Sequence, residues 1–342
     1  MDWTRHYTFF KPGEEQPDLI TGMVRQVRKH LDERGEREGR RPVLIMRVPA
    51  TIERSLKCGL DARTWIKEGL ADYLVPSSPS RFLLPDMPMA PWLELVEGTP
   101  IEIHVSPDSA TWVGTGQANL TMYRAAASNY YRMGVHGFYV FNLFCQGFPL
   151  EAEQYMILKD VSDPAALSKR DKVFMAQPSG IGLQHETADM LPVSLEDPNH
   201  VRSIALWVGD DLEAARKDSI LRRATLRLRV LDLGPQDRLE VALNGAMLDM
   251  SSARIHQPNL RETIAFAASL PTWTWERHET KSVPGAWCDV ELREALPKCG
   301  ENIVTVRAVR PENVPAPSEI RLIGLDLDVT YNYCGRDPAY TD

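Results

Sequence analysis

Glu102 and His104 lie two residues apart in the run Ile101-Glu102-Ile103-His104-Val105. In an extended strand they share one face, and the three aliphatic residues take the other. A carboxylate beside an imidazole is acid–base machinery. Other polar residues stand near the ends of similar apolar runs. The opening Met1-Asp2-Trp3-Thr4-Arg5-His6 reads as the end of a strand with Asp2, Arg5 and His6 near its rim. Arg47 ends the next run, in phase with Val43 and Ile45, and Asn142 ends the run that starts at Phe138. A carboxylate, two arginines, a histidine and an asparagine on one rim suit a sugar, whose hydroxyls need paired donors and acceptors. Breaking a glycosidic bond takes two carboxylates, one as acid and one as base or nucleophile. Asp2 is the first candidate, and Glu102 and Asp86 compete for the second. His104 serves either as an acid or as a hydroxyl-binding group.

Each of these residues also has a structural alternative. Arg47 pairs with Asp2 or Glu102 to hold the interior, His104 is a hydrogen-bonded core histidine, and Asn142 caps a turn. Asp2, as the second residue, is exposed to fraying.

Positioning such a rim requires strands with aligned ends. Four apolar runs recur roughly thirty residues apart, at 43–48, 72–76, 101–105 and 138–142, with helical or turn-rich segments between them. The periodicity predicts an amphipathic helix over 18–33, a solvated loop through the charged run 34–41, and a short helix after Asp61 that stops at Gly69. Residues 77–98 read as a long Pro-rich loop with a helical turn near its end, and 119–133 as a helix closed by Gly134. Strand, helix, strand in this rhythm is α/β architecture, and barrels of that class carry their chemistry at the C-terminal ends of the strands.

The pattern then changes. Residues 150–200 are mixed and loop-rich, and from 201 the period is two, through 203–208, 224–230, 238–243, 303–308 and 320–329. This predicts an antiparallel β-sandwich, with Asn244-Gly245 as a hairpin turn. The expected organisation is 1–175 as a partial (β/α)-barrel, 176–200 as a linker and 201–342 as the sandwich. Trp273 and Trp275 alternate on one strand face. Exposed, they stack on a sugar ring; buried, they are sandwich core.

Bulk properties narrow the partners. The net charge of −8 over 342 residues carries no nucleic-acid footprint. No apolar stretch reaches the ~18 residues of a membrane span. Five dispersed cysteines without a C-x-x-C pair predict neither a disulfide framework nor a structural zinc site, although Cys288 and Cys299 could meet across a hairpin. No metal or other cofactor is expected. The first residues lack a basic segment followed by an apolar one, so the expected location of the chain as written is the cytoplasm.

The blocks Asp2-Trp3-Thr4-Arg5, Leu44-Ile45-Met46-Arg47-Val48-Pro49, the Gly-Leu-Asp…Trp…Glu-Gly-Leu-x-Asp stretch over 59–72, and Gly134-Val135-His136-Gly137-Phe138-Tyr139-Val140-Phe141-Asn142 resemble bacterial glycosyl-hydrolase-like (β/α)8-barrel proteins. The resemblance covers residues 1–175. It implies the fourth to eighth strands of a barrel, a carbohydrate substrate class, and Asp2, Arg5, Arg47, His104 and Asn142 as rim residues. It also implies about three further strands ahead of Met1, so that the open sheet edge is covered by a missing barrel half or by a homodimer. The stretches 237–245, 289–293 and 300–306 resemble the galactose-binding-like jelly roll appended to many glycosidases. The expected function is that of a carbohydrate-active protein, a glycoside hydrolase that is inactive alone if its barrel is truncated. The alternative is a non-catalytic carbohydrate-binding or assembly protein.

Overall fold

The computed structural model describes residues 1–4, 10–11, 13–78, 82–109, 111, 118–141, 143, 152–176, 189–195, 200–256, 264–267, 280–283, 285–311 and 319–332. Arg5, His6, Asn142, Trp273 and Trp275 lie outside these residues.

The apolar runs of the first part form a parallel sheet. Strands β1 (Ile45–Pro49), β2 (Tyr73–Ser77), β3 (Glu102–Val105) and β4 (Gly137–Phe138) pair in chain order. A parallel bridge between Asp2 and Arg47 adds the opening residues beside β1. Helices α1 (Pro17–Glu38), α2 (Ile52–Lys57), α3 (Ala62–Lys67), α4 (Ala90–Val96) and α5 (Leu120–Met133) pack on one face. There Met46, Val48, Leu74, Ile103 and Val105 share a core with Val24, Ile52, Trp65, Trp92 and Tyr130. The period of two sends the alternate residues to the opposite face, where Ile45 is 41% exposed.

Local signals set the helix ends. The Asp61 carboxylate accepts from the Thr64 N–H at 3.1 Å, and the Asn119 side chain accepts from the Met122 N–H at 3.1 Å. Gly134, at φ 100°, closes α5 in a left-handed conformation. Two expectations need correction. The charged run 34–41 is not all loop, because α1 continues to Glu38. Arg34 and Glu38 form an i,i+4 pair at 2.8 Å, and Gly39 rather than Gly35 takes the left-handed position after the helix. Of the strand expected over 138–142, the described residues keep only Phe138, which forms β4 with Gly137.

Between the two parts, 150–200 holds more regular structure than its composition suggests. Helices α6 (Ala152–Val161) and α7 (Pro164–Leu167) lead into β5 (Lys172–Ala176). Strand β5 pairs antiparallel with β16 (Arg321–Tyr331), so it belongs to a sheet of the second part. The other strands are β6 (Val193–Ser194), β7 (Arg202–Val208), β8 (Leu221–Leu231), β9 (Arg238–Leu243), β10 (Ala246–Met247), β11 (Arg254–His256), β12 (Ile264–Ala267), β13 (Thr280–Val283), β14 (Gly285–Glu291) and β15 (Gly300–Val309), with α8 (Leu212–Lys217) after β7.

One antiparallel sheet runs β10-β9-β15-β7. A six-stranded one runs β11-β14-β8-β16-β5, with β6 also on β16; β12 and β13 pair separately. Leu206, Val241 and Val304 of the first sheet share a core with Leu226, Cys288 and Leu327 of the second, so the two sheets pack face to face. Asn244 and Gly245, at φ 50° and 86°, make the two-residue turn between β9 and β10. Cys58, Cys288 and Cys299 are free thiols, so Cys288 and Cys299 do not form the hairpin bridge.

The two parts are tightly joined. Asn129 of α5 is fully buried; its amide donates to Pro85 O and Trp207 O at 3.1 Å each and accepts from the Gly209 N–H at 2.7 Å. A side chain at Gly209 would strike the Ser128 carbonyl carbon at 2.6 Å, so the strand end sits against the helix backbone. Lys172, 0% exposed, pairs with Asp210 at 2.8 Å and donates to the Leu167 and Arg170 carbonyls. The Ser128 and Tyr331 hydroxyls also donate to Asp210. Met175, Leu231 and Ile323 of the six-stranded sheet complete the core of the first part. No described helix is long and apolar enough to cross a membrane.

Candidate functional site

The face of the parallel sheet that points away from the helices carries the candidate residues. Register sets Asp2 beside Arg47 and His104 beside Gly137, with Val75 of β2 between the two pairs in the same row. Two clusters result.

In the first, the Arg47 guanidinium is nearly buried. Its Nη1 contacts Asp2 Oδ2 at 3.2 Å, its Nε donates to Ser77 Oγ at 2.8 Å, and its plane lies 3.5 Å from the centre of the Phe141 ring. Asp2 Oδ1 also accepts from the Thr4 N–H at 3.0 Å and the Thr4 hydroxyl at 2.9 Å. Burial pushes the Asp2 carboxyl up, but the Thr4 N–H, the Arg47 charge and the Thr4 hydroxyl outweigh it and hold the carboxyl below its ordinary value. Asp2 is therefore an ionised, multiply hydrogen-bonded carboxylate.

In the second cluster, His104 Nε2 lies 2.9 Å from Glu102 Oε2, with side-chain exposures of 28% and 46%. The Tyr73 ring meets the imidazole edge-on at 4.7 Å between centroids. Gly137 has no side chain because there is no room for one: a Cβ there would lie 2.5 Å from the His104 ring. The pair is accessible and its geometry is fixed from two sides. Tyr139, 38% exposed, follows on the β4 side.

Asp2 and Glu102 are not brought together. Three strand spacings, about 14 Å across the strands, and two residues along β3 separate their backbones. Asp86 is not on this face either. It sits in the loop that α5 grips through Tyr130, whose hydroxyl donates to Leu84 O at 2.6 Å and accepts from the Met87 N–H at 3.1 Å. Met87 and Met89 of that loop and Trp92 of α4 are core. Trp287 packs toward the first part under Arg229, whose guanidinium lies 4.5 Å from the ring centre.

Sequence reasoning did not single out Tyr73 or Gly137. Their roles come from cross-strand register, which no local pattern states, although Tyr73 is in phase with Ser77 along β2. Among the described residues no three His, Cys, Asp or Glu side chains are grouped so that they could hold a metal ion. No protein-family model matches this sequence, and no curated protein matches it.

Proposed function

We propose that this is a carbohydrate-active protein built on an arc of an α/β barrel, with a jelly-roll unit behind it. The barrel reading rests on strand order. Neighbours follow the chain without a reversal, and the described helices pack on one face. An open doubly wound sheet reverses its strand order and takes helices on both faces. The polar face is then the barrel interior, where saccharides meet the strand ends.

The observation that carries the functional reading is the exposed Glu102–His104 pair, flanked by the Tyr73 ring. Carboxylate, imidazole and aromatic edge together offer acceptors, a donor and an apolar surface to a sugar ring. In hydrolysis of an O-glycosidic bond, this pair gives a proton to the leaving oxygen as its bond to the anomeric carbon breaks, and takes a proton back from the water that adds to that carbon. Asp2, three strand spacings away and engaged by Arg47 and Thr4, lies too far from the pair to act at the same bond. A non-catalytic carbohydrate-binding protein is the second reading. It is favoured by the engagement of Asp2 with Arg47 and Thr4 and by the two strands between Asp2 and Glu102.

Release of reducing ends from a panel of oligosaccharides tests the choice. Hydrolysis that falls about a hundredfold or more in Glu102→Gln supports the catalytic reading. Equal hydrolysis by wild type and Glu102→Gln removes Glu102 from the mechanism. Binding without any hydrolysis supports the second reading.

A further inference from the structure

The outer face of the six-stranded sheet is divided in two. One half packs on the first part through Trp287 and Val173, beside the buried Arg229–Asp326 pair at 2.7 Å. The other half borders a groove of about 640 Å³, within the roughly 300–1,000 Å³ of small-molecule sites. Strand register lays out its charges as a grid. Arg254 of β11 stands beside Asp289 of β14, and Asp289 beside Arg227 of β8. Two residues along, Glu291 stands beside Thr225, and Thr225 beside Asp328 of β16. Arg223, two residues before Thr225 on β8, shares this face and also lines the groove.

Some of these charges cancel within the protein and some do not. Arg227 and Asp289 satisfy each other through two hydrogen bonds of 2.7 and 2.8 Å, and Glu291 accepts from Arg293 at 3.1 Å. Arg223, Arg254 and Asp328 make no hydrogen bond or salt bridge among the described residues. Asp328 is half-buried; burial raises its carboxyl above the ordinary range against the pull of Arg227 and Arg223. The groove thus holds unpaired charge of both signs at separate places. A bare anion meets Asp289, Glu291 and Asp328, and a bare cation meets the arginines. A neutral ligand leaves Asp328 without a counter-charge. The ligand that answers both signs carries an ammonium at one end and a carboxylate at the other. Three strand spacings, about 14 Å across the strands, separate the backbones of Arg254 and Asp328. The long Arg254 side chain lines the groove and shortens that span. An extended peptide advances about 3.3–3.6 Å per residue, so about two to four residues bridge it.

We propose that this groove binds a short zwitterionic peptide, with its terminal ammonium on Asp328, its terminal carboxylate on Arg254 and its backbone carbonyls within reach of Arg223. The site lies on the β-sandwich and is independent of the carbohydrate reading of the parallel sheet.

The test is NMR of the intact chain, reading the side-chain Nε–Hε signals of Arg223 and Arg254 during titration with di-, tri- and tetra-alanine. The same peptides with an acetylated N-terminus or an amidated C-terminus are the controls, with sodium acetate and ethylammonium chloride as the single charges. At least one free peptide is expected to shift both signals saturably, and each of its capped forms to bind about tenfold more weakly. Asp328→Asn is expected to weaken the free peptide about tenfold and to leave the acetylated form unchanged, because that form has no ammonium to lose. Arg254→Gln, at an exposed position and read at Arg223, is expected to weaken the free peptide and leave the amidated form unchanged. It keeps the test open if Asp328→Asn does not fold. The proposal is overturned if no peptide shifts these signals, if a capped peptide binds as tightly as the free one, if acetate or ethylammonium alone reproduces the shifts, or if neither variant weakens binding.

Discussion

Asp2 shows how one residue changes meaning once its neighbours are known. As a residue type at a strand end it is a candidate catalytic carboxylate. In place, both its oxygens face Arg47 and one also accepts twice from Thr4. Its pKa is lower folded than unfolded, so its contribution to stability is fully present above the ordinary carboxylate value and is lost as pH falls through the folded value. Acid titration followed by circular dichroism is expected to show Asp2→Asn less stable than wild type at neutral pH, with the gap closing in the acid range; a constant gap contradicts this. Gly137 is the second diagnostic residue. Gly137→Ala drives a methyl into the His104 ring, and its expected effect is a shifted imidazole signal and a broken Glu102 contact, with little change in far-ultraviolet circular dichroism. An unmoved imidazole signal would show that the ring has space the geometry denies it. The Glu102–His104 pairing itself was legible, because period two is a local rule. The crowding by Tyr73 and Gly137 was not, because it depends on strands that meet only after folding.

Among the elements, α5 does the most joining. Its helical pattern and its Asn119 and Gly134 ends are readable from the sequence, and so are Asp61 before α3 and Asn244-Gly245 after β9. What Asn129 does is not readable. An asparagine inside a helix looks indifferent until a loop at Pro85 and a strand end at Trp207 and Gly209 close over it. Asn129→Ala leaves two carbonyls and one N–H buried without partners, at an expected cost of about 2–4 kcal/mol in urea unfolding. Lys172→Met leaves Asp210 buried without its cation, at an expected cost of about 3–5 kcal/mol. A loss below 1 kcal/mol in either variant, roughly the scale of a surface change, contradicts these roles. Strand β5 was hidden for a related reason. Its partner β16 is far along the chain, and the helices before it continue the rhythm of the parallel part.

At the scale of the whole molecule, the two parts share a boundary built like a core. Met175, Leu231 and Ile323 lie in the hydrophobic cluster of the parallel sheet, and the Lys172–Asp210 network closes the seam. Unfolding followed by tryptophan fluorescence and by circular dichroism is therefore expected to give one coincident transition; two separated transitions would show that the seam is weak. The central claim is that saccharides occupy that polar face at Glu102 and His104. The most direct measurement is the NMR signal of the His104 imidazole during titration of the intact chain with neutral oligosaccharides. A saturable shift with at least one sugar, weakened in Glu102→Gln, is the predicted result; an imidazole signal that stays fixed with every sugar contradicts the account.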